Sequence, residues 1–358
     1  MKLAAGFPAP SIAPRHSSRG LLWPTWRWLL LGLGLFSAFA MAQNAVVLVG
    51  SGSSVPAPLY IRWAQEFNQR NAGIQMRYVP SGTSEGIKQI SRGAGDFGAG
   101  EAQLGDKERN ESSLIELPIV LIGIVPIYNL PEVRHELRLS GEVLADIFLG
   151  EVKTWNAPHI AKLNPEITLP NLAIQVVNRP AGKGSNYVFT EFLSKASSKF
   201  RARVGTTPSP QWPVGMAEER SSDMADKVKS TPGTIGYVEY QYAVKGNISQ
   251  VAVLNPAGKF VRASTESIRA ACKAAEAPRW NSFSASLTNV PGADSFPITS
   301  FTWIYLRAKS ADSARAAALG NLLDWIYTDG QPLAVQEGYA VLPSLLLAEV
   351  RKKVKDLR

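Results

Sequence analysis

The chain reads as an α/β protein whose parallel sheets are covered by helices. Three observations predict this. A strand–turn–helix unit recurs three times, two long apolar β-type runs stand between and after those units, and a helical pattern follows the second run. The 358 residues are 45% hydrophobic, with no low-complexity tract and no internal repeat of solenoid length, and they suffice for two domains.

The first 42 residues stand apart. Lys2, Arg15, Arg19 and Arg27 lead into an apolar run from Trp28 to Ala42, and Ala40-Met41-Ala42 makes a small-residue exit before Gln43. That order predicts an export signal that is cleaved, because the run is shorter than the roughly 20 residues a membrane span requires. The alternative is an uncleaved tether. Taking those four residues from the chain's 38 Lys and Arg leaves 34 against 29 Asp and Glu, a balance of +5 instead of +9. The excess is scattered, so no nucleic-acid partner is expected. Cys272 is the single cysteine, which excludes an intramolecular disulfide and a cysteine zinc cluster. An exported chain without disulfides needs a large core, and the 316 residues after the signal supply it.

Ala45 to Val49 is a buried-strand run, Gly50 to Pro58 a turn, and Leu59, Tyr60, Trp63 and Phe67 mark one face of a helix. Pro58 suits a first helical turn, where its missing N–H is not needed. Ile74 to Val79 alternates as a strand does, Pro80 to Gly86 turns, and a helix carrying Ile87 and Ile90 follows. Ile174 to Val177 opens the third unit, with its helix stripe at Val188, Phe189, Phe192 and Leu193. The long runs are Leu117 to Tyr128 and Phe296 to Leu306, the second preceding a helix around Ala314 to Tyr327. If each long strand crosses between domains, residues 43–126 and 297–358 form the first lobe and 127–296 the second.

Turns rich in Gly, Ser and Thr ahead of helices have a chemical use. The first N–H groups of a helix lack intrahelical partners and sit at the positive end of its dipole, so they attract anions. One such turn is accounted for by helix capping. Three of them, with Arg179 entering the third, point to an oxyanion, since a guanidinium fork matches phosphate or carboxylate oxygens. A nucleotide loop is excluded at NRPAGKGSNYVFTEFL (178–193). The pattern GxxxxGK[ST] needs glycine where Val177 stands and a hydroxyl where Gly184 follows the lysine. His16 lies in the signal, His135 and His159 lie outside the turns, and neither an HExxH nor a GxSxG motif is read, so neither an enzyme nor a metal site is expected.

VGSGSSVPAPLYIRWAQEF, YVPSGTSEGIKQISRGAGDFGAGEAQL, ADIFLGEVKTWNAPHIAKLNP, VVNRPAGKGSNYVFTEFL, TPGTIGYVEYQYA and FPITSFTWIYL occur in this order. Together they resemble the periplasmic phosphate-binding protein of ABC-type phosphate transporters, from about Val46 to Pro343. The resemblance implies a type II clamshell, with two mixed sheets flanked by helices and joined by hinge strands, closing over one ion. It also implies a monomer in the periplasm, no cofactor, and delivery of phosphate to a permease and ATPase complex.

Carried over position by position, the resemblance implies a ligand shell. Ser53, Ser54 and the backbone of Val55 come from the first turn, and Thr83, with Ser84 beside it, from the second. Glu101 is the carboxylate that accepts the ligand's proton. Arg179, Lys183, Gly184 and Ser185 close the shell from the other lobe. Three positions depart from the family. Glu101 stands for the usual aspartate and would intrude by about one C–C bond, Ala181 for an aspartate that pairs with the arginine, and Lys183 for a hydroxyl donor. Counted together with the arginine, these positions change the shell from net −1 to net +1. Either Lys183 and Glu101 pair around phosphate, or the site prefers another oxyanion such as a phosphonate, a phosphate ester or sulfate. A sensor that keeps the clamshell without transport is the further alternative.

Overall fold

The computed structural model describes residues 45–275, 283, 285–309 and 312–356. The expected export signal, 1–42, lies outside them. Among the described residues no helix is long and apolar enough to cross a membrane.

The first two predicted units form as β1 (Val46–Gly52), α1 (Ala57–Arg70), β2 (Ile74–Pro80) and α2 (Thr83–Ser91). The α1 helix buries Leu59, Tyr60, Trp63 and Phe67, the stripe its periodicity predicts, and carries Pro58 in its first turn. β3 (Phe97–Gly100) and the short α3 (Asp106–Asn110) lead to β4 (Leu114–Tyr128), 15 residues of which all but Ile115 are buried. β5 (Arg138–Leu139), α4 (Gly141–Phe148) and α5 (Pro158–Leu163) precede the third unit, β6 (Gln175–Asn178) and α6 (Gly184–Ala196). Then come α7 (Ser198–Arg203), β7 (Met216–Ala217), α8 (Ser221–Ser230), β8 (Thr234–Glu239), α9 (Tyr240–Lys245), β9 (Ser249–Gln250), β10 (Ala252–Leu254), β11 (Phe260–Val261) and α10 (Thr265–Ala274). The chain returns through β12 (Thr299–Arg307), α11 (Ser313–Ile326), α12 (Gly330–Gln336) and α13 (Ser344–Asp356).

The larger sheet runs β2-β1-β3-β12-β4-β8-β6-β7, with β9 also on β4, and a small sheet runs β11-β10-β5. β1 pairs in parallel with β2 and β3, and β6 in parallel with β7 and β8. β12 is antiparallel to both its neighbours, and β4 is antiparallel to β8. The parallel pairing that the alternating units predict holds within those units, and the sheet as a whole is mixed, as the resemblance implied. Helical crossovers impose parallel pairing on neighbouring strands such as β1 and β2, whereas β12 returns from a distant segment under no such constraint.

β4 joins the two parts of the larger sheet. Its stretch 114–123 pairs with β12, and its stretch 124–128 pairs with β8. β12 itself stays with β3 and β4; the second passage lies just before it, where Ile124 N donates to Ile298 O at 2.9 Å. Continuous burial along β4 follows from this role, since a strand covered on both faces has no polar side to alternate.

Candidate functional site

The three Gly/Ser/Thr turns occupy the C-terminal ends of β1, β2 and β6, where open α/β sheets place ligands. Gly52 closes the first. Its φ is +146°, and a Cβ there would stand 2.0 Å from Ala99 O, so only glycine lets β1 lie this close to β3. Ser53 N then donates to Ala99 O (2.8 Å), and the buried Ser53 Oγ accepts from Val55 N (3.0 Å). Two tyrosines, the half-buried Tyr78 and the buried Tyr339, hold the same loop from behind. Tyr78 Oη donates to Ser53 O (2.7 Å) and Tyr339 Oη to Val55 O (2.9 Å). Ser54 is half-buried beside them.

Thr83 is the first residue of α2 and is fully buried. Its Oγ1 donates to Glu101 Oε2 at 2.9 Å, while Glu101 Oε1 has no partner. Glu101 follows β3 directly and is wholly inaccessible. Loss of water pushes its carboxyl up to about 7; Ser53, Thr83 and Thr302 hydroxyls hold it down, and the carboxyl of Glu239 adds to the rise. The extra methylene of Glu101 fits because Gly184 faces it. A Cβ at residue 184 would lie 1.5 Å from Glu101 Oε2 and 2.6 Å from Thr83 Oγ1.

That contact brings the third turn onto the second. Ser84 N reaches Gly182 O at 3.4 Å, across the backbone of two glycines with positive φ, Gly82 and Gly182. Gly184 opens α6, a helix of 13 residues with no side-chain cap, and the next residue, Ser185, is buried with an unpartnered hydroxyl. Arg179, 1% exposed, follows β6. Its Nη1 donates to Ser221 Oγ and its Nη2 to Glu219 O (2.8 Å), its backbone N donates to Tyr237 Oη (3.2 Å), and its Nε has no partner. Asn186 steadies the turn by donating to Pro180 O (2.7 Å), with Tyr237 Oη bonded to its Oδ1.

Lys183 departs from expectation. Its Nζ pairs with Glu219 rather than with Glu101. The count of net +1 also needs correction, because it omits Glu219 and Glu239. Glu239, at the end of β8, is fully buried with neither carboxylate oxygen hydrogen-bonded, and Arg179 is the cation acting on it. With Arg179 and Lys183 against Glu101, Glu219 and Glu239, the ionised set stands at −1. Sequence reading passed over Glu239 because a lone glutamate ending a strand carries no local sign of a partner 60 residues away. The only available signal was period 2, which puts Glu239 on the same face of β8 as Tyr237, and Tyr237 holds the backbone N of Arg179.

Gly82-Thr83-Ser84-Glu85-Gly86 has the GxSxG spacing of a hydrolase elbow, which corrects the expectation that the sequence holds no such motif. Such an elbow needs a histidine base beside its serine. Ser84 is half-buried against Gly182, whereas the described histidines, His135 and His159, are both exposed. Cys272, on the buried face of α10, has its thiol pushed up to about 12 by desolvation, which makes it inert.

Residues 40–330 match the PBP superfamily domain. The phosphate-binding protein PstS of Pasteurella multocida is 36% identical over 332 residues, covering 92% of this chain and 96% of that protein. The chain belongs to the PstS family of phosphate-binding proteins. PstS of Haemophilus influenzae is 34% identical over 88% of this chain and 94% of its own. A phosphate ABC transporter substrate-binding protein from Clostridium perfringens, solved with bound phosphate, shares the fold with a TM-score of 0.59 at 17% identity, over 83% of this chain and all of that one. The resemblance read from the sequence and the type II fold it implied are both borne out. In this PstS-family chain the shell positions Thr83, Glu101 and Gly184 are in mutual contact, Ser53 and Val55 are bonded to each other in the first turn, and Arg179 and Ser185 lie buried in the third unit. Lys183 is turned to Glu219 at the rim.

Proposed function

We propose that the chain captures inorganic phosphate between two lobes and hands it to an ABC importer. One observation carries the reading. Around the uncapped start of α6, three buried polar atoms lack partners, namely Glu101 Oε1, Ser185 Oγ and Arg179 Nε: an acceptor, a hydroxyl and a cationic donor. A ligand carrying both a proton to donate and several acceptor oxygens satisfies all three, and protonated phosphate is such a ligand. Sulfate has no proton for Glu101, so the carboxyl discriminates against it. The names of the relatives support the same ligand.

In this reading the lobes are 43–126 with 297–358, and 127–296, with β4 and the passage before β12 as hinges. Ser53, Ser54, Val55, Thr83 and Glu101 hold one side of the anion. Arg179, Gly184 and Ser185 close from the other, with Lys183 at the rim. Only the closed form engages both sets, so phosphate favours closure by its differential affinity. Export, cleavage of residues 1–42, a monomeric state, a permease and ATPase as partners, and capture without catalysis complete the proposal.

Titration calorimetry of the ligand-free chain with phosphate, then sulfate, tests it. Tight one-to-one phosphate binding that excludes sulfate is expected. Arg179→Ala should weaken phosphate binding about 100-fold, about 3 kcal/mol, because it removes a buried charged donor. Unchanged affinity in that variant would sink the assigned site.

A further inference from the structure

The buried carboxyl of Glu239 has no role in the shell described above. Both its oxygens are fully enclosed and neither is hydrogen-bonded. Glu239 is two residues beyond Tyr237 on β8 and so shares its face, and Tyr237 Oη accepts the Arg179 backbone N–H. The Arg179 side chain is fastened to Ser221 Oγ and Glu219 O, leaving Nε unpartnered. Ser221 Oγ accepts from the guanidinium, so its own proton is free to point to Glu239. Lys183, the other cation nearby, is engaged by Glu219. Ala181 carries no charge. Arg179 is thus the buried cation that acts on Glu239, and Glu239 in turn acts on the second buried carboxyl, Glu101.

We propose that Glu239 is a positioning residue for Arg179 that also sets the charge of the closed cleft: its carboxyl steers the guanidinium and takes a proton from solvent when the anion is enclosed. The proposal rests on the phosphate reading and deepens it. With both carboxyls ionised, a captured phosphate would face two negative charges and one guanidinium in a space without water, and that arrangement is strongly unfavourable at low dielectric. One added proton on the pair removes the excess while Arg179 stays bound to the anion. The groups facing Glu239 agree with this sign. Burial raises its carboxyl, and Arg179 and Ser221 only partly oppose it. Tyr237 on its own strand, and Glu101, Tyr242 and Tyr339 from neighbouring elements, lie within reach of its charge, and none of these is a cation. Because Glu101 and Glu239 act on each other, the proton belongs to the pair.

The test is calorimetry of the full chain with inorganic phosphate at pH 6 and pH 8.5, in buffers of differing ionisation enthalpy that count protons taken up. Wild type is compared with Glu239→Gln and Glu239→Ala. Phosphate's own ionisation is common to all three and cancels in the differences. Glu239→Gln mimics the protonated carboxyl. It should bind like wild type at pH 6, lose about tenfold less affinity than wild type on going to pH 8.5, and take up fewer protons. Glu239→Ala should bind at least about tenfold more weakly at both pH values, since Arg179 is then held only by Ser221 and Glu219 O. Parallel pH profiles and equal proton uptake for wild type and Glu239→Gln would overturn the proposal. So would a Glu239→Gln variant equally weakened at both pH values, or an unaffected Glu239→Ala. Wild type that binds no phosphate would instead remove the phosphate reading. In that event a carbon-13 titration of the glutamate carboxyls, wild type against Glu239→Gln, still decides: a Glu239 midpoint in the ordinary carboxylate range overturns the proposal, and a raised one supports its charge-setting part.

Discussion

The two sides of the junction hold their ionisable groups in opposite ways. On the β1–β3 side, the Glu101 carboxyl accepts from the Thr83 hydroxyl, with the Ser53 and Thr302 hydroxyls also lowering its titration, and among the described residues no cation on that side pairs with it. On the β6–β8 side, the Arg179 guanidinium is tied by two of its nitrogens to Ser221 and Glu219, with a buried carboxyl beside it. Hydroxyls can stabilise either protonation state by rotating, so the first side is built to gain or lose a proton. A guanidinium always keeps its charge, so the second side is built to attract. In the proposed reading, selection and attraction fall to different lobes, and both operate only when the turns meet at Gly184.

Proton poise on the first side is the sharpest way to break the comparison. Glu101 is pushed from 4.5 up to about 7, so the folded ligand-free chain binds more protons than the unfolded chain between those values. Its contribution is fully present below pH 4.5 and is lost as pH rises through about 7, a loss of up to about 3 kcal/mol. Denaturant titrations at pH 5 and pH 8 should show that loss in wild type and most of it abolished in Glu101→Gln. Equal pH slopes in the two chains would mean that the hydroxyl ring leaves Glu101 with an ordinary titration.

A smaller effect is expected where the sides touch. Gly184→Ala puts a methyl group 1.5 Å from Glu101 Oε2 in the observed arrangement, while Gly184 has no positive φ that alanine would strain. The chain should fold normally and bind phosphate about 10- to 100-fold more weakly, about 1–3 kcal/mol, measured by calorimetry. Full affinity would show that the two turns need not meet when the anion is held.

Lys183 should matter least. Its partner Glu219 has a side chain 69% exposed, so the pair sits at the solvent edge. Lys183→Met should change phosphate affinity by less than about tenfold, with most of that change removed by raised salt. A hundredfold loss would move Lys183 into the shell beside Arg179 and erase the contrast between wired and loose cations.

Much of the fold was legible because it is locally encoded. β1, β2 and β6 begin within one residue of the predicted runs, and the α1 stripe and Pro58 fall as periodicity and capping require. The strand ends were less legible. β1 continues through Gly50 to Gly52 although these glycines read as a turn, because pairing with β2 and β3 extends the strand beyond its own propensity. At the site, Arg179 and the three turns were legible from residue types beside helix starts. Thr302, Glu219 and Glu239 were not, since each enters from a separate strand or loop and means nothing apart from its spatial neighbour.

By itself, then, the sequence determined the α/β class, the order of units, the three anion-type turns and the resemblance to its family, all of which depend on spacing within one segment. Tertiary structure alone decided that β12 runs antiparallel, that Gly184 makes room for Glu101, that Lys183 turns to Glu219, and that Glu239 is buried without a hydrogen bond. Those outcomes depend on which atoms meet after burial removes water from segments far apart in the chain, and both the clash of a methyl group and the charge of a carboxyl are settled only there.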